Sequence, residues 1–94
     1  MSLEIRCLQK EKLMHKVIEL ADSVLKSRKS IYQDNWLLMD LNALLCGAYY
    51  KINRAMFTRD EAKKLDDLLD SLNYLRFVIA RLLDENERRE MEKC

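Results

Sequence analysis

The sequence predicts an all-α fold, an antiparallel up-down bundle of three long helices, or of four if the N-terminal or C-terminal segment forms a separate helix. Three observations carry this. The chain has no proline and a single glycine in 94 residues, and those residues punctuate the turns and strand ends that a β-rich fold of this length would need. Its apolar residues recur at helical spacing. With 49% hydrophobic and 35% charged residues, it has the balance of a packed helical core under a solvated surface. The length suits one domain over residues 1–94. Chains this short bury a modest share of their surface, so another copy could cover a spare apolar face, and a homo-oligomer is expected.

The first helix is expected from Ser2 to Arg28, with its clearest stripe at Leu13, Met14, Val17, Ile18, Leu20, Ala21, Val24 and Leu25. Upstream, the pattern at Leu3, Ile5, Cys7 and Leu8 is interrupted by Gln9–Lys12, which reads as a bend or a separate turn. A polar connection follows over Ser30–Asn35, where Asp34 or Asn35 could cap the next helix. The second helix, Trp36 to Phe57, has two apolar stripes and only a narrow polar strip of Asp40, Gly47, Lys51 and Arg54. That pattern places it centrally in the bundle or between subunits. Gly47 beside Ala43 and Ala48 suggests a close helix crossing. Thr58 and Glu61 have the spacing of a capping box that starts the third helix. There Leu65, Leu68, Leu69, Leu72, Leu75, Ile79, Leu82 and Leu83 form an unbroken stripe, widened by Tyr74, Phe77 and Val78, before a polar end over Asp84–Glu90.

The chemistry-bearing residues argue against catalysis. Cys7, Cys46 and Cys94 are scattered and His15 is the only histidine, so neither a zinc site nor any other metal or cofactor is expected. Asp60, Glu61, Asp66, Asp67 and Asp70 cluster early in the third helix, where the helix dipole favours anions and a solvated face is expected. One glycine excludes phosphate-binding loops. The longest apolar runs fall short of the roughly 20 residues of a membrane helix, and the start of the sequence lacks a signal peptide's unbroken apolar core. A cytoplasmic, non-enzymatic protein with no membrane role is expected.

Net charge is only +1, so any nucleic-acid interface must come from local clustering. Lys51, Arg54, Arg59, Lys63 and Lys64 straddle the turn between the second and third helices, with Lys10 and Lys12 expected at the same end. Lys26, Arg28 and Lys29 are expected at the other, near Arg81, Arg88 and Arg89. The rival surface is an apolar one on the second helix, comprising Trp36, Met39, Cys46, Tyr50 and Phe57. Aromatic residues and methionine are enriched at interface cores.

The run Leu44-Leu45-Cys46-Gly47-Ala48-Tyr49-Tyr50-Lys51, followed by Leu68-Leu69, Leu75-Arg76-Phe77 and Arg81, resembles the accessory variability determinant family. These small helical-bundle proteins accompany reverse transcriptases in diversity-generating retroelements. The basic Lys26-Ser27-Arg28 before the second helix is similar to the family's connection there. The resemblance implies a four-helix-type protomer in a ring-like pentamer that binds RNA or DNA and the reverse transcriptase. Under this first reading the protein is a non-catalytic accessory factor, with Arg28, Lys29, Lys51, Arg54, Arg59, Lys63, Lys64, Arg76 and Arg81 as contacts to nucleic acid. The alternative is a helical protein-interaction or structural module with no nucleic-acid role.

Overall fold

A computed structural model describes residues 3–28 and 35–92, with side chains from Gln9 onward. Three helices make up the fold: α1 (Leu3–Ser27), α2 (Leu41–Phe57) and α3 (Glu61–Glu92), with a 3-10 turn over Asn35–Leu37 before α2. Among the described residues there is no strand, and no helix is long and apolar enough to cross a membrane. Lys29, Asp34 and the side chains of Leu3, Ile5, Cys7, Leu8 and Cys94 lie outside the described set.

The expected all-α bundle is present, and α3 is its spine. Helix α2 packs along it most extensively, α1 less so. Both run antiparallel to α3: Arg28 meets Asp66 while Asp22 meets Arg76, and Lys51 meets Asp67 while Trp36 lies beside Arg81. The helices α1 and α2 therefore point the same way. Arg28 accordingly sits at the Lys51 and Arg54 end of the bundle, away from Arg81, Arg88 and Arg89, where the sequence pattern had placed it.

Several local expectations are corrected. Helix α1 runs unbroken through Gln9–Lys12, whose side chains need no burial for a helix of good helix formers to continue. The expected second helix divides at Leu38–Asp40 into the 3-10 turn and α2, with Asp40 at the N-cap position in extended conformation. Asp60 starts α3 in place of the Thr58–Glu61 capping box: its Oδ1 accepts from the backbone N–H groups of Ala62 at 3.0 Å and Lys63 at 3.3 Å. Thr58 closes α2 instead, its N–H donating to the Arg54 carbonyl at 3.0 Å. The polar end of α3 continues helical to Glu92, supported by an Arg88–Asp84 pair at 3.3 Å one turn apart.

The apolar core is small. Leu44, Phe77 and Val78 are buried, with Leu25, Trp36, Leu41 and Tyr74 packed around them. Trp36 stacks on Phe77 with ring centroids 5.0 Å apart, and Tyr74 meets the same ring edge-on at 6.5 Å. Gly47 does mark a close crossing: the Tyr74 ring reaches 3.0 Å from where a side-chain Cβ would stand. Helix α2 is not the central element. Only Leu44, Ala48 and Ala55 of it are buried, on the face that packs along α3.

Candidate functional site

Helix α3 carries two stripes, and the structure turns the polar one inward. Its buried residues are Asp67, Leu69, Asp70, Ser71, Asn73, Phe77 and Val78. Buried carboxylates are costly unless paired, and each of these is. Lys51 Nζ lies 3.8 Å from Asp67 and 3.3 Å from Asp70, and Arg54 Nε lies 3.5 Å from Asp67. Arg28 bridges Asp66, at 3.0 Å, and Asp70. Asp70 Oδ2 makes no hydrogen bond of normal geometry, and its stabilisation comes from the Lys51 charge. The hydrogen bond to Asp70, opposed by burial and seconded by the one to Asp66, holds the Arg28 guanidinium protonated well beyond the ordinary arginine range.

The same seam ties α3 to both neighbours through uncharged groups. Ser71 Oγ donates to the Ala48 carbonyl at 3.0 Å, and Asn73 Nδ2 donates to the Ala21 carbonyl at 3.0 Å. Arg76 donates to Asn73 Oδ1 at 3.1 Å and pairs with Asp22 at 2.8 Å. Asp67 and Asp70 thus depart from the solvated face expected of them, because their cations come from other helices.

Carboxylate oxygens of Asp66, Asp67 and Asp70 lie within 4.8 Å of one another, close enough to hold a metal ion. Arg28, Lys51 and Arg54 already supply that cluster with positive charge. A cavity of about 10 Å³ between α1 and α3, lined by Val24, Leu25, Asp70, Asn73, Tyr74 and Phe77, has room for a water molecule and no larger ligand.

The outward stripe of α3 is the leucine stripe. Leu65 is 52% exposed, Leu68 45%, Ile79 55% and Leu82 44%, while Leu72 and Leu75 are half-buried and Leu69 alone is buried. Helix α1 behaves similarly. Every side chain from Gln9 to Leu20 is exposed, including Leu13, Met14, Val17 and Ile18, and His15 with them. Among the described side chains of α1 only Ala21 is buried, with Val24 and Leu25 half-buried. These are large apolar exposures for so short a chain, of the kind that marks an interaction surface.

Scans of protein-family models, curated proteins and solved structures returned no match to the chain.

Of the residues expected to contact nucleic acid, Arg28, Lys51, Arg54 and Arg76 are engaged with carboxylates of the fold. Arg81 donates to the carbonyls of Trp36 and Met39, bracing the 3-10 turn. Arg59, Lys63 and Lys64 are exposed. Of the residues expected at a partner interface, Met39, Cys46, Tyr50 and Phe57 are exposed, while Trp36 is half-buried on Phe77. The sequence reading missed the leucine face as a surface. Its signal was present in the strict alternation of three- and four-residue steps from Leu65 to Leu82, the spacing of a coiled-coil seam.

Proposed function

We propose that the protein is a non-catalytic helical interaction module whose working surface is the outward apolar face of α3. The observation that carries this is the inversion of α3, with leucines facing solvent and Asp67 and Asp70 inside. A helix that spends its polar stripe on intramolecular pairing keeps its apolar stripe for a partner helix. The test is a variant carrying Leu68→Glu and Ile79→Glu, at two exposed positions. It should keep the wild-type helix content by circular dichroism. It should also lose the association seen by light scattering or, if the face is open, the binding of a hydrophobic dye. A wild-type protein that neither associates nor binds dye overturns the proposal.

A second reading, the nucleic-acid accessory factor, is favoured by one observation. Tyr49, Tyr50 and Phe57 are exposed on α2, at the end of the bundle that bears Arg54, Arg59, Lys63 and Lys64. The Arg54 guanidinium lies 5.8 Å from the centre of the Tyr50 ring. Aromatic faces beside cations are a platform for unpaired bases. Mobility shift with single-stranded RNA and DNA at low and moderate salt tests it: binding should fall with salt and with Arg59→Glu plus Lys63→Glu. The absence of any salt-sensitive shift at micromolar protein removes it. A reverse transcriptase as partner rests on the family resemblance of the sequence alone.

A further inference from the structure

The outward stripe of α3 has a spacing that identifies its occupant. Leu65, Leu72 and Ile79 recur every seven residues, and Leu68, Leu75 and Leu82 recur every seven in the alternate step. These are the a and d positions of a heptad seam, whose partner is another helix with the same repeat. Among the described residues no helix fills that place, because α1 and α2 both pack on the opposite, polar side of α3. Resting on the reading of this face as a docking surface, we propose that its occupant is α3 of a second copy, paired antiparallel about a two-fold axis between Leu72 and Leu75.

Register and direction follow from the side chains. Antiparallel pairing places a opposite d, so Leu65 meets Leu82, Leu68 meets Ile79 and Leu72 meets Leu75, each layer occurring twice by symmetry. The next layer outward, Glu61 with Asn86, is polar and ends the seam. Charge selects the direction. In this register the flanking Lys64 of one copy faces Glu85 of the other, at both ends of the pair. A parallel pairing in register would instead bring Glu85 against Glu90 of the neighbour, a like-charge contact that opposes assembly. The seam spans residues 65–82, three a and three d positions, of a helix that continues from Glu61 to Glu92.

Zero-length carbodiimide cross-linking of the intact protein tests the contact, read by peptide mass spectrometry alongside light scattering. Lys64 and Glu85 lie on one helix, about 31 Å apart at 1.5 Å per residue, so a bond between them can form only between copies. A two-copy mass with a Lys64–Glu85 link is expected. Lys64→Glu should weaken the dimer roughly tenfold, by turning two exposed attractions into repulsions, and adding Glu85→Lys should restore it. A dimer without that link, or one indifferent to Lys64→Glu, overturns the antiparallel register. A five-copy mass, which the family resemblance implies, overturns the two-fold pairing. A monomer that binds hydrophobic dye overturns self-pairing alone, whereas a monomer that binds none overturns the docking surface as well.

Discussion

Asp70 and Leu68 stand two positions apart on α3, yet the aspartate is 3% exposed and the leucine 45%. Ordinary burial preferences would reverse them. The reversal holds because Asp70 meets Arg28 from the end of α1 and Lys51 from α2, so the buried charge joins three helices. Removing the charge while keeping the shape should therefore cost more than removing the leucine. Asp70→Asn is expected to lose about 2 kcal/mol, somewhat less than a fully buried pair because both cations keep some contact with water. At dilutions where the chain is monomeric, Leu68→Gln should cost under about 0.5 kcal/mol. Urea unfolding of the two variants at equal low concentration checks the order, and a larger loss from Leu68→Gln would contradict the placement of the stripes.

The Arg28 pair has a defined dependence on pH. Its hydrogen bond to Asp70 raises the guanidinium above the ordinary arginine value. A group raised on folding contributes stability that is complete below its unfolded value and is lost only as pH climbs through the folded one. The arginine side of this pair is therefore constant across neutral and moderately alkaline solution. Arg28→Gln should destabilise the protein by roughly 2 kcal/mol, and the gap to wild type should be the same at pH 7 and pH 10. Paired unfolding curves at the two values measure it. A gap that narrows by pH 10 would mean that the lost stability comes from a group titrating in that range and not from the Arg28 charge.

The fold was legible because its signals are local. Helical periodicity, a missing proline and one glycine identify three helices, and the ends of α1 and α2 fall within a residue or two of Arg28 and Phe57. The orientation of α3 was not legible. Leu65 through Leu82 make one stripe, and Asp67, Asp70, Ser71, Tyr74, Phe77, Val78 and Arg81 make another at the same helical period. Hydrophobicity alone chooses the first as the core. The second is chosen by partners far away in sequence, Arg28, Lys51 and the carbonyls of Ala21 and Ala48, and no local pattern records those pairings. The ion pairs of the basic residues were not legible for the same reason. Arg28, Lys51 and Arg76 look like free surface charges until their carboxylates are brought to them.

The start of α3 separates two capping schemes. Asp60 accepts two backbone N–H groups of the first turn, whereas Thr58 contributes its own N–H to the end of α2. Asp60→Ala should cost about 1 kcal/mol, the usual price of a lost N-cap. Thr58→Ala should stay within about 0.5 kcal/mol of wild type, since its side chain caps nothing in this arrangement. Thermal melts of the two variants distinguish the schemes, and an equal loss from Thr58→Ala would restore the capping box.

Gly47 offers a paired test of how α2 meets α3. In a helix interior alanine is favoured over glycine by about 1 kcal/mol, so Gly47→Ala on an open face would stabilise the protein. Here the added methyl would lie 3.0 Å from Cε1 and 3.1 Å from Cζ of the Tyr74 ring, closer than carbon atoms pack without displacement. Tyr74 is itself set edge-on against Phe77, which in turn stacks on Trp36, so a shifted ring disturbs the small core in sequence. Overpacking of this kind costs roughly 1–3 kcal/mol, enough to reverse the gain from propensity. Gly47→Ala should therefore destabilise wild type by about 1 kcal/mol and should stabilise a Tyr74→Leu background by a similar amount. The sign change between backgrounds, read from urea unfolding midpoints, locates the cost in that one contact. The same sign in both would show that the helices cross elsewhere.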